Sequence, residues 1–115
     1  MMDELPATLR GWMPASAAHG SGEAVRRLTG DELEMLVVDL ADVPTPSAHS
    51  HDVEQIVVVL EGSVRMNLGG TERKLTAGDA FVIPPNLVHG AASAGPNVAR
   101  LLEVRRYPNT TVGLA

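Results

Sequence analysis

The chain has 115 residues and a mass of 12.1 kDa, which is the size of a single domain. Its 44% hydrophobic and 20% charged residues are typical of a globular protein and exclude a disordered one. The absence of cysteine excludes disulfides, iron–sulfur clusters, cysteine zinc sites and cysteine nucleophiles. A net charge of −5 argues against a nucleic-acid partner, because a general nucleic-acid surface needs a basic patch.

The sequence also bears on the cellular location. No segment reaches the roughly 18–20 consecutive apolar residues of a membrane-spanning helix. The first ten residues, MMDELPATLR, carry acidic residues and no apolar run, so we expect no secretory signal there. We therefore predict a cytoplasmic protein without a membrane partner.

The 11 glycines and 8 prolines separate short runs that are rich in Val, Ile and Leu. This rhythm predicts an all-β sandwich or barrel with little helix. We expect an irregular N-terminal arm over 1–22, a barrel over 23–106 and a loose C-terminal tail over 107–115. Strands are predicted, in chain order, over 24–28, 33–40, 54–60, 63–68, 72–75, 80–83, 87–89 and 98–104.

The predicted strand over 54–60 is apolar on both faces, and such a strand needs a covering layer on each side. In so small a protein one of these layers is expected to be a second copy, so we predict a homodimer. The strand over 33–40 is also apolar on both faces. The candidates for an apolar pocket wall are Met35, Val37, Val57, Phe81, Ile83 and Leu101.

The histidines are the candidate metal ligands in this sequence. His49 and His51 flank one serine, and Gln55 follows at a position that differs from both by an even number. In one extended strand all three side chains would point to the same face, and His89 at the end of a later strand could join them. Imidazole and amide groups form a mixed nitrogen and oxygen ligand set for a transition metal. The residues alone also fit exposed loop histidines, and His19 in the arm is read as solvated.

The segments HSHDVEQIVVVLEG and GDAFVIPPNLVHGAAS resemble the two motifs of the small single-domain cupins. The first keeps the paired histidines and Gly62, with Gln55 at the position of a glutamate. The second keeps its glycine, proline and histidine at Gly78, Pro84 and His89. The departures from the two motifs are Val43, Asn86 and Ser93, which stand where the family has Gly, Gly and Asn.

The resemblance implies a cupin double-stranded β-helix, which is a jelly-roll-like barrel. It also implies one divalent transition metal (Zn, Ni, Fe, Mn, Co or Cu) on His49, His51, Gln55 and His89. A neutral amide in place of a carboxylate leaves the ion its formal charge, which favours Lewis-acid chemistry and the binding of carboxylate, enolate or phenolate groups. Alternatively, Gln55 points away from the metal and forms a hydrogen bond with a substrate.

The sequence is similar to the cupins that linearise unsaturated uronates and to the small cupin cyclases of polyketide pathways. This similarity implies isomerisation, cyclisation or lyase chemistry on an oxygen-rich small molecule, with Glu103 as the candidate proton carrier. Glu103 could instead be a surface residue that pairs with a neighbouring arginine. The alternatives to such an enzyme are a redox-metal dioxygenase and a non-catalytic cupin that binds a small ligand. The candidate substrate contacts are Met35, Phe81 and Arg105.

Overall fold

The fold was obtained as a computed structural model, which describes residues 22–95 and 97–114. Within these residues the protein has ten strands and no helix, and therefore no helix that could cross a membrane. The strands are β1 Gly22–Thr29, β2 Leu33–Ala41, β3 Ala48–His51, β4 Gln55–Glu61, β5 Ser63–Leu68, β6 Thr71–Thr76, β7 Ala80–Ile83, β8 His89–Ser93, β9 Ala99–Arg106 and β10 Thr111–Leu114. The predicted all-β class is confirmed, while His19 and nearly all of the predicted arm lie outside the described residues.

The strands form two five-stranded sheets with antiparallel pairing throughout. Sheet I has the order β1-β2-β9-β4-β7, and sheet II has the order β10-β3-β8-β5-β6. Neighbours in each sheet are mostly distant in sequence, so the chain crosses repeatedly from one sheet to the other. This is the double-stranded β-helix that the resemblance implies.

The core lies between the two sheets and is built from aliphatic side chains. Sheet I supplies Leu36, Val38 and Leu40 from β2, and sheet II supplies Val64 and Met66 from β5. Because side chains alternate along a strand, the burial of these residues fixes which face of each strand points inward. The interior of the barrel is therefore lined by the even-numbered residues of β2.

The expectation that Met35 and Val37 face the pocket is wrong. Met35 lies on the outer face of sheet I beside Leu28 and Val104. Both faces of β2 are apolar, so the alternation of residue types could not show which face points inward. A shift of one residue in the register of β2 would exchange all of its inward-facing side chains for its outward-facing ones.

The last part of the chain differs from the expectation of a loose tail. Thr111–Leu114 forms β10, which pairs with β3 and brings Thr111 opposite His51. The segment is too short to stand out by periodicity, and it becomes a strand because the edge of β3 offers it backbone partners. The structure also begins β8 at His89, the residue at which the predicted strand was expected to end.

All three departures from the cupin motifs have a visible structural basis. Asn86 occupies the position of a motif glycine with φ of 68°, a left-handed conformation that asparagine tolerates better than most residues. The backbone N–H of Asn86 donates a hydrogen bond to the carbonyl of His51 at 2.6 Å, which ties this turn to β3. The other two departures, Val43 and Ser93, bind each other through Val43 N to Ser93 Oγ at 3.0 Å and Ser93 N to Val43 O at 2.7 Å.

Candidate metal centre

Three histidines converge between the sheets. His49 and His51 come from β3, and His89 begins β8 directly opposite His49 in the strand register. The ring centroids are 4.9 Å apart for His49 and His51, 4.4 Å for His49 and His89, and 5.2 Å for His51 and His89. One nitrogen of each ring lies within 4.8 Å of the others, a spacing at which the three could hold one metal ion.

Two of the rings are oriented by backbone carbonyls. His49 Nδ1 lies 3.0 Å from the carbonyl of Ser47, and His89 Nδ1 lies 2.8 Å from the carbonyl of Leu87. A carbonyl can only accept, so each Nδ1 carries the proton and each Nε2 keeps its lone pair. This is the outer hydrogen bond that fixes the tautomer of metal-binding histidines.

His51 reaches the same tautomer through side chains. Its Nε2 lies 3.0 Å from Nη1 of Arg105, which can only donate, so Nε2 must be the unprotonated acceptor. Its Nδ1 then donates to Thr111 Oγ1 at 2.8 Å. Sequence reasoning did not include Thr111, because nothing in the sequence pairs it with a residue 60 positions earlier.

Burial keeps two of the histidines neutral. The pKa of His51 falls from 6.5 to about 4, chiefly because the ring is buried and in part because the Arg105 guanidinium lies nearby. Burial also lowers the pKa of His89, although the Leu87 carbonyl partly opposes this effect. Neutral imidazole is the form that binds a metal, so both rings stay competent for binding in mildly acidic solution.

A close approach between β8 and the segment before β3 holds this arrangement. A Cβ atom on Gly90 would lie 2.7 Å from the carbonyl oxygen of Ser47, the oxygen that orients His49. Only glycine allows the two backbones to come this near. Gly90, which follows His89 in β8, therefore supports the position of the neighbouring His49.

Gln55 reaches the site from the opposite sheet. It begins β4 in sheet I, whereas His49 and His51 belong to sheet II, so the prediction that all three share one strand face is wrong. The chain turns at 52–54 between the two strands, and the side chains meet across the interior of the barrel. Gln55 is 2% exposed, and its Oε1 lies 3.5 Å from the same Arg105 nitrogen that contacts His51.

Glu103 and Arg105 follow each other on the inner face of β9. Glu103 Oε1 accepts a hydrogen bond from Gln55 Nε2 at 3.3 Å, so this carboxyl group faces the site and not the protein surface. Burial raises the pKa of Glu103, although the charge of Arg105 acts in the opposite direction. Arg105 is 6% exposed and is therefore an interior cation.

Glu34 is a functional candidate that sequence reasoning missed. It is 3% exposed, and its Oε1 lies 3.5 Å from Arg105 Nη2 and 3.5 Å from Arg27 Nε. Its other oxygen accepts a hydrogen bond from Asn109 at 3.0 Å. The signal was present, because Glu34 shares strand parity with Leu36 and would face inward with it, but the face of β2 had been assigned the other way.

The site opens into a cavity of about 500 Å³, a size suited to a small ligand. The three histidines, Gln55, Glu103 and Arg105 line it, together with Thr111 and the inner face of β1. Met35 and Phe81 do not line this cavity; Phe81 packs against the core. Of the three predicted substrate contacts, the structure brings Arg105 alone to the cavity.

The residues present fit a divalent transition metal. Among the described residues, Nε2 of His89 is buried without a hydrogen-bond partner, which is costly for a polar atom unless something binds it. One ring nitrogen of each histidine lies within 4.8 Å of the others, and the neutral amide of Gln55 lines the same cavity. Nitrogen and oxygen donors of this kind suit zinc, copper, iron and nickel.

Two antiparallel sheets that enclose three convergent imidazoles define a metal-binding β-barrel. The family model described as "Cupin domain" matches residues 35–105, and the chain belongs to the cupin family. The matched segment includes all three histidines of the cluster.

Named relatives agree with this assignment. The chain is 33% identical over 76 residues to the pectin degradation protein KdgF of Dickeya dadantii (strain 3937), which covers 63% of this chain and 69% of that protein. It is 34% identical over 59 residues to H2HPP isomerase of Bacillus subtilis, which covers 50% of this chain and 25% of that protein. The solved structure of the polyketide cyclase RemF from Streptomyces resistomycificus matches with a TM-score of 0.67 at 25% identity, over 81% of this chain and 72% of that chain. The resemblance drawn from the motifs is confirmed.

Proposed function

We propose that this protein is a metal-dependent cupin enzyme that acts on an oxygen-rich small molecule by proton transfer. The reaction is an isomerisation, a cyclisation or a lyase reaction. The observation that carries the proposal is the meeting of three histidine rings, each with a nitrogen within 4.8 Å of the others, and the carboxyl group of Glu103 in one cavity. The names of the relatives support the same class of chemistry, since they include a pectin degradation protein, an isomerase and a polyketide cyclase.

The proposed ligands are His49, His51, His89 and Gln55. When bound by these neutral groups, a divalent transition ion supplies Lewis acidity that polarises a carbonyl group of the substrate. The histidines contribute fixed tautomers, each with Nδ1 held by an outer partner. Gln55 contributes its amide oxygen, which lies 3.5 Å from the Arg105 nitrogen that also contacts His51.

Glu103 is the proposed proton carrier. In the sheet register it lies between Leu36 and Val57, so its carboxyl group has apolar neighbours on both adjoining strands. The hydrogen bond from Gln55 holds Oε1 toward the cavity, where a proton can pass between the carboxyl group and a bound substrate. General acid–base catalysis requires a carboxyl group that, like that of Glu103, faces the cavity in which the substrate binds.

Turnover with defined metals tests the proposal. The protein is stripped with a chelator, reloaded with zinc, nickel, iron, manganese, cobalt or copper, and assayed on unsaturated uronates and on other carbonyl-rich acids. We expect metal to restore turnover, and Glu103→Gln to lose on the order of 100-fold in kcat while it keeps its metal. Glu72→Gln, at an exposed residue of β6, is the control and should keep full activity. Turnover that survives His51→Ala would exclude this mechanism.

The same assay separates the rival functions. A redox-metal dioxygenase would consume oxygen in proportion to substrate, and only with a redox-active metal. A non-catalytic cupin would bind its ligand in the cavity and return it unchanged. The proposed function requires a product of the same oxidation state and no uptake of oxygen.

We also propose that the protein is a homodimer that associates through the outer face of sheet I. A row of apolar side chains crosses all five strands of this sheet, and consecutive members are paired in the strand register: Leu28, Met35, Val104, Ile56 and Val82. Ile56 is 47% exposed and Val82 is 56% exposed. Apolar surface of this extent is typical of protein interfaces.

Sedimentation tests the dimer. We expect a mass about twice the 12.1 kDa of the chain, and a monomer for Ile56→Glu. Val112→Glu, at a 51% exposed residue of sheet II, is the control and should remain dimeric. A wild-type mass near 12 kDa at micromolar concentration would refute the association.

The cytoplasmic location and the division into an arm, a barrel and a tail stay predictions. Cell fractionation checks the location. Limited proteolysis checks the division at its N-terminal boundary, since an arm over 1–22 should be cleaved before the barrel that follows it.

A further inference from the structure

Arg105 occupies a central position at one end of the barrel. In the register of sheet I it pairs with Glu34 on β2 and with Gln55 on β4, so one buried row reads carboxylate, guanidinium, amide. Arg105 is 6% exposed, Glu34 is 3% exposed and Gln55 is 2% exposed. A cation this deeply buried needs counter-charge and acceptors from its surroundings.

The residues around Arg105 supply only part of the counter-charge and hydrogen-bond acceptors that its guanidinium group needs. Arg105 has five N–H donors, and its shortest contact is the 3.0 Å hydrogen bond to His51 Nε2. The contact to Gln55 is 3.5 Å long, and Nε is buried without a partner among the described residues. Glu34 lies 3.5 Å from Nη2, but the same carboxylate oxygen is also 3.5 Å from Arg27. Glu34, the carboxylate in ion-pair contact with Arg105, therefore faces two guanidinium groups, and Glu103 on the same face of β9 is the other nearby carboxyl group.

Metal binding would leave the guanidinium group of Arg105 with fewer acceptors and with more positive charge beside it. The lone pair of His51 Nε2 serves either Arg105 or a metal ion, so an ion bound there releases the best acceptor of the guanidinium. The ion also adds positive charge beside a cation that already shares its carboxylate. The four ligands proposed above are neutral, so none of them compensates.

We propose that Arg105 binds the carboxylate group of the substrate beside the metal, so that metal and carboxylate each strengthen the binding of the other. This inference rests on the proposed function and names the class of its substrate, a small carboxylic acid. A carboxylate satisfies both needs, because it supplies negative charge to the cavity and a pair of acceptors that match the planar fork of arginine. By linkage, the factor by which the carboxylate tightens the metal must equal the factor by which the metal tightens the carboxylate.

Calorimetric titration of the stripped full-length protein with cobalt tests the proposal without an activity assay. Acetate is the probe carboxylate, and perchlorate at equal ionic strength replaces it in the reference buffer. We expect acetate to lower the cobalt dissociation constant about tenfold, and cobalt to lower the acetate dissociation constant by the same factor. Cobalt binding that is indifferent to acetate overturns the inference and leaves the metal site standing, whereas a failure of all the metals to bind overturns the proposed function as well.

Substitutions at Arg105 separate the guanidinium from the metal itself. Arg105→Gln should bind cobalt more tightly than the wild type in perchlorate and should lose the response to acetate. Arg105→Lys keeps the charge without the fork, and should keep a reduced response, which holds the test if the glutamine variant does not fold. Arg106→Gln changes the next, exposed residue and should respond as the wild type does. An acetate effect of wild-type size in Arg105→Gln would overturn the proposal.

Discussion

At one end of the barrel interior, Glu34, Arg105 and Gln55 form a polar row across three strands. At the other end, the same strands pair Leu40 with Ala99, and Val59 packs close by. We call the first of these the polar end, and it also holds the three histidines. We call the second the apolar end, and Val64 of sheet II belongs to it. β2 and β9 keep one register at both ends, whereas β4 shifts its register against β9 after Val59. The chemical contrast between the two ends lies in their side chains.

The comparison shows how one short barrel divides two tasks. Each buried methylene at the apolar end stabilises the fold by about 0.8 kcal/mol. Buried charges and unpaired polar atoms at the polar end cost free energy unless a ligand or counter-charge satisfies them. Substitutions at the two ends should therefore separate binding from stability.

Removal of one imidazole should affect binding most. We expect His89→Ala to weaken metal binding by about 100-fold or more, because it removes a proposed ligand whose ring is already oriented by the Leu87 carbonyl. Calorimetry with cobalt measures the effect. His19→Ala is the matched control, since this histidine has no place in the cupin motifs. Wild-type affinity in His89→Ala would contradict histidine ligation.

Removal of one buried carboxylate should cost stability at the polar end. We expect Glu34→Leu to lower the free energy of unfolding by about 3 kcal/mol, because Arg105 loses its interior counter-charge. Adding Arg105→Met should recover most of this loss, since an apolar pair no longer needs compensation. Urea unfolding in the presence of a chelator measures both variants.

An exposed ion pair supplies the control for that cycle. Glu72 pairs with Arg65 at the surface, and Glu72→Leu should cost less than about 1 kcal/mol. Equal losses for the single and double variants would mean that the charge of Arg105 does not set the cost at the polar end.

Truncation at the apolar end should lower stability and leave binding alone. Val64 is fully buried, and we expect Val64→Ala to cost about 2 kcal/mol for two lost methyl groups and the space they leave. Val112→Ala makes the same chemical change at a 51% exposed site and should stay within about 0.5 kcal/mol. A metal affinity that falls with Val64→Ala would show that the two ends are coupled.

The buried histidines predict the pH dependence of the metal-free protein. His51 has a pKa of about 4 when folded and 6.5 when unfolded, so between these values the unfolded chain binds the extra proton. Stability should therefore fall as the pH falls from 6.5 to 4, by about 1 kcal/mol after allowance for screening. His51→Gln should show a shallower slope over the same window, and an unchanged slope would count against a neutral buried His51.

The sequence predicted the parts of the site that short motifs record. The spacing of His49, His51 and His89 identified the cluster, because the barrel brings fixed motif positions together. Asn86 looked like a defect, but its left-handed backbone explains both the motif glycine and its replacement. Val43 and Ser93 looked like two unrelated departures, and the structure shows that they are hydrogen-bond partners.

The parts that the sequence did not predict depend on contacts between distant segments. Apolar residues on both faces of β2 left its inward face ambiguous, so Met35 was placed inside and Glu34 was overlooked. Even spacing suggested one strand for His51 and Gln55, but a turn sends them to different sheets. Charge and parity alone could not show that Arg105 would contact three interior side chains at once.

The hydrogen bond between His51 and Thr111 has a consequence for how the protein is made and handled. Synthesis proceeds from the N-terminus, so all four proposed ligands leave the ribosome before the hydroxyl group that sets the tautomer of His51. The centre is therefore completed only when β10 docks on β3. A chain shortened before Thr111 keeps every proposed ligand yet lacks this final orienting group.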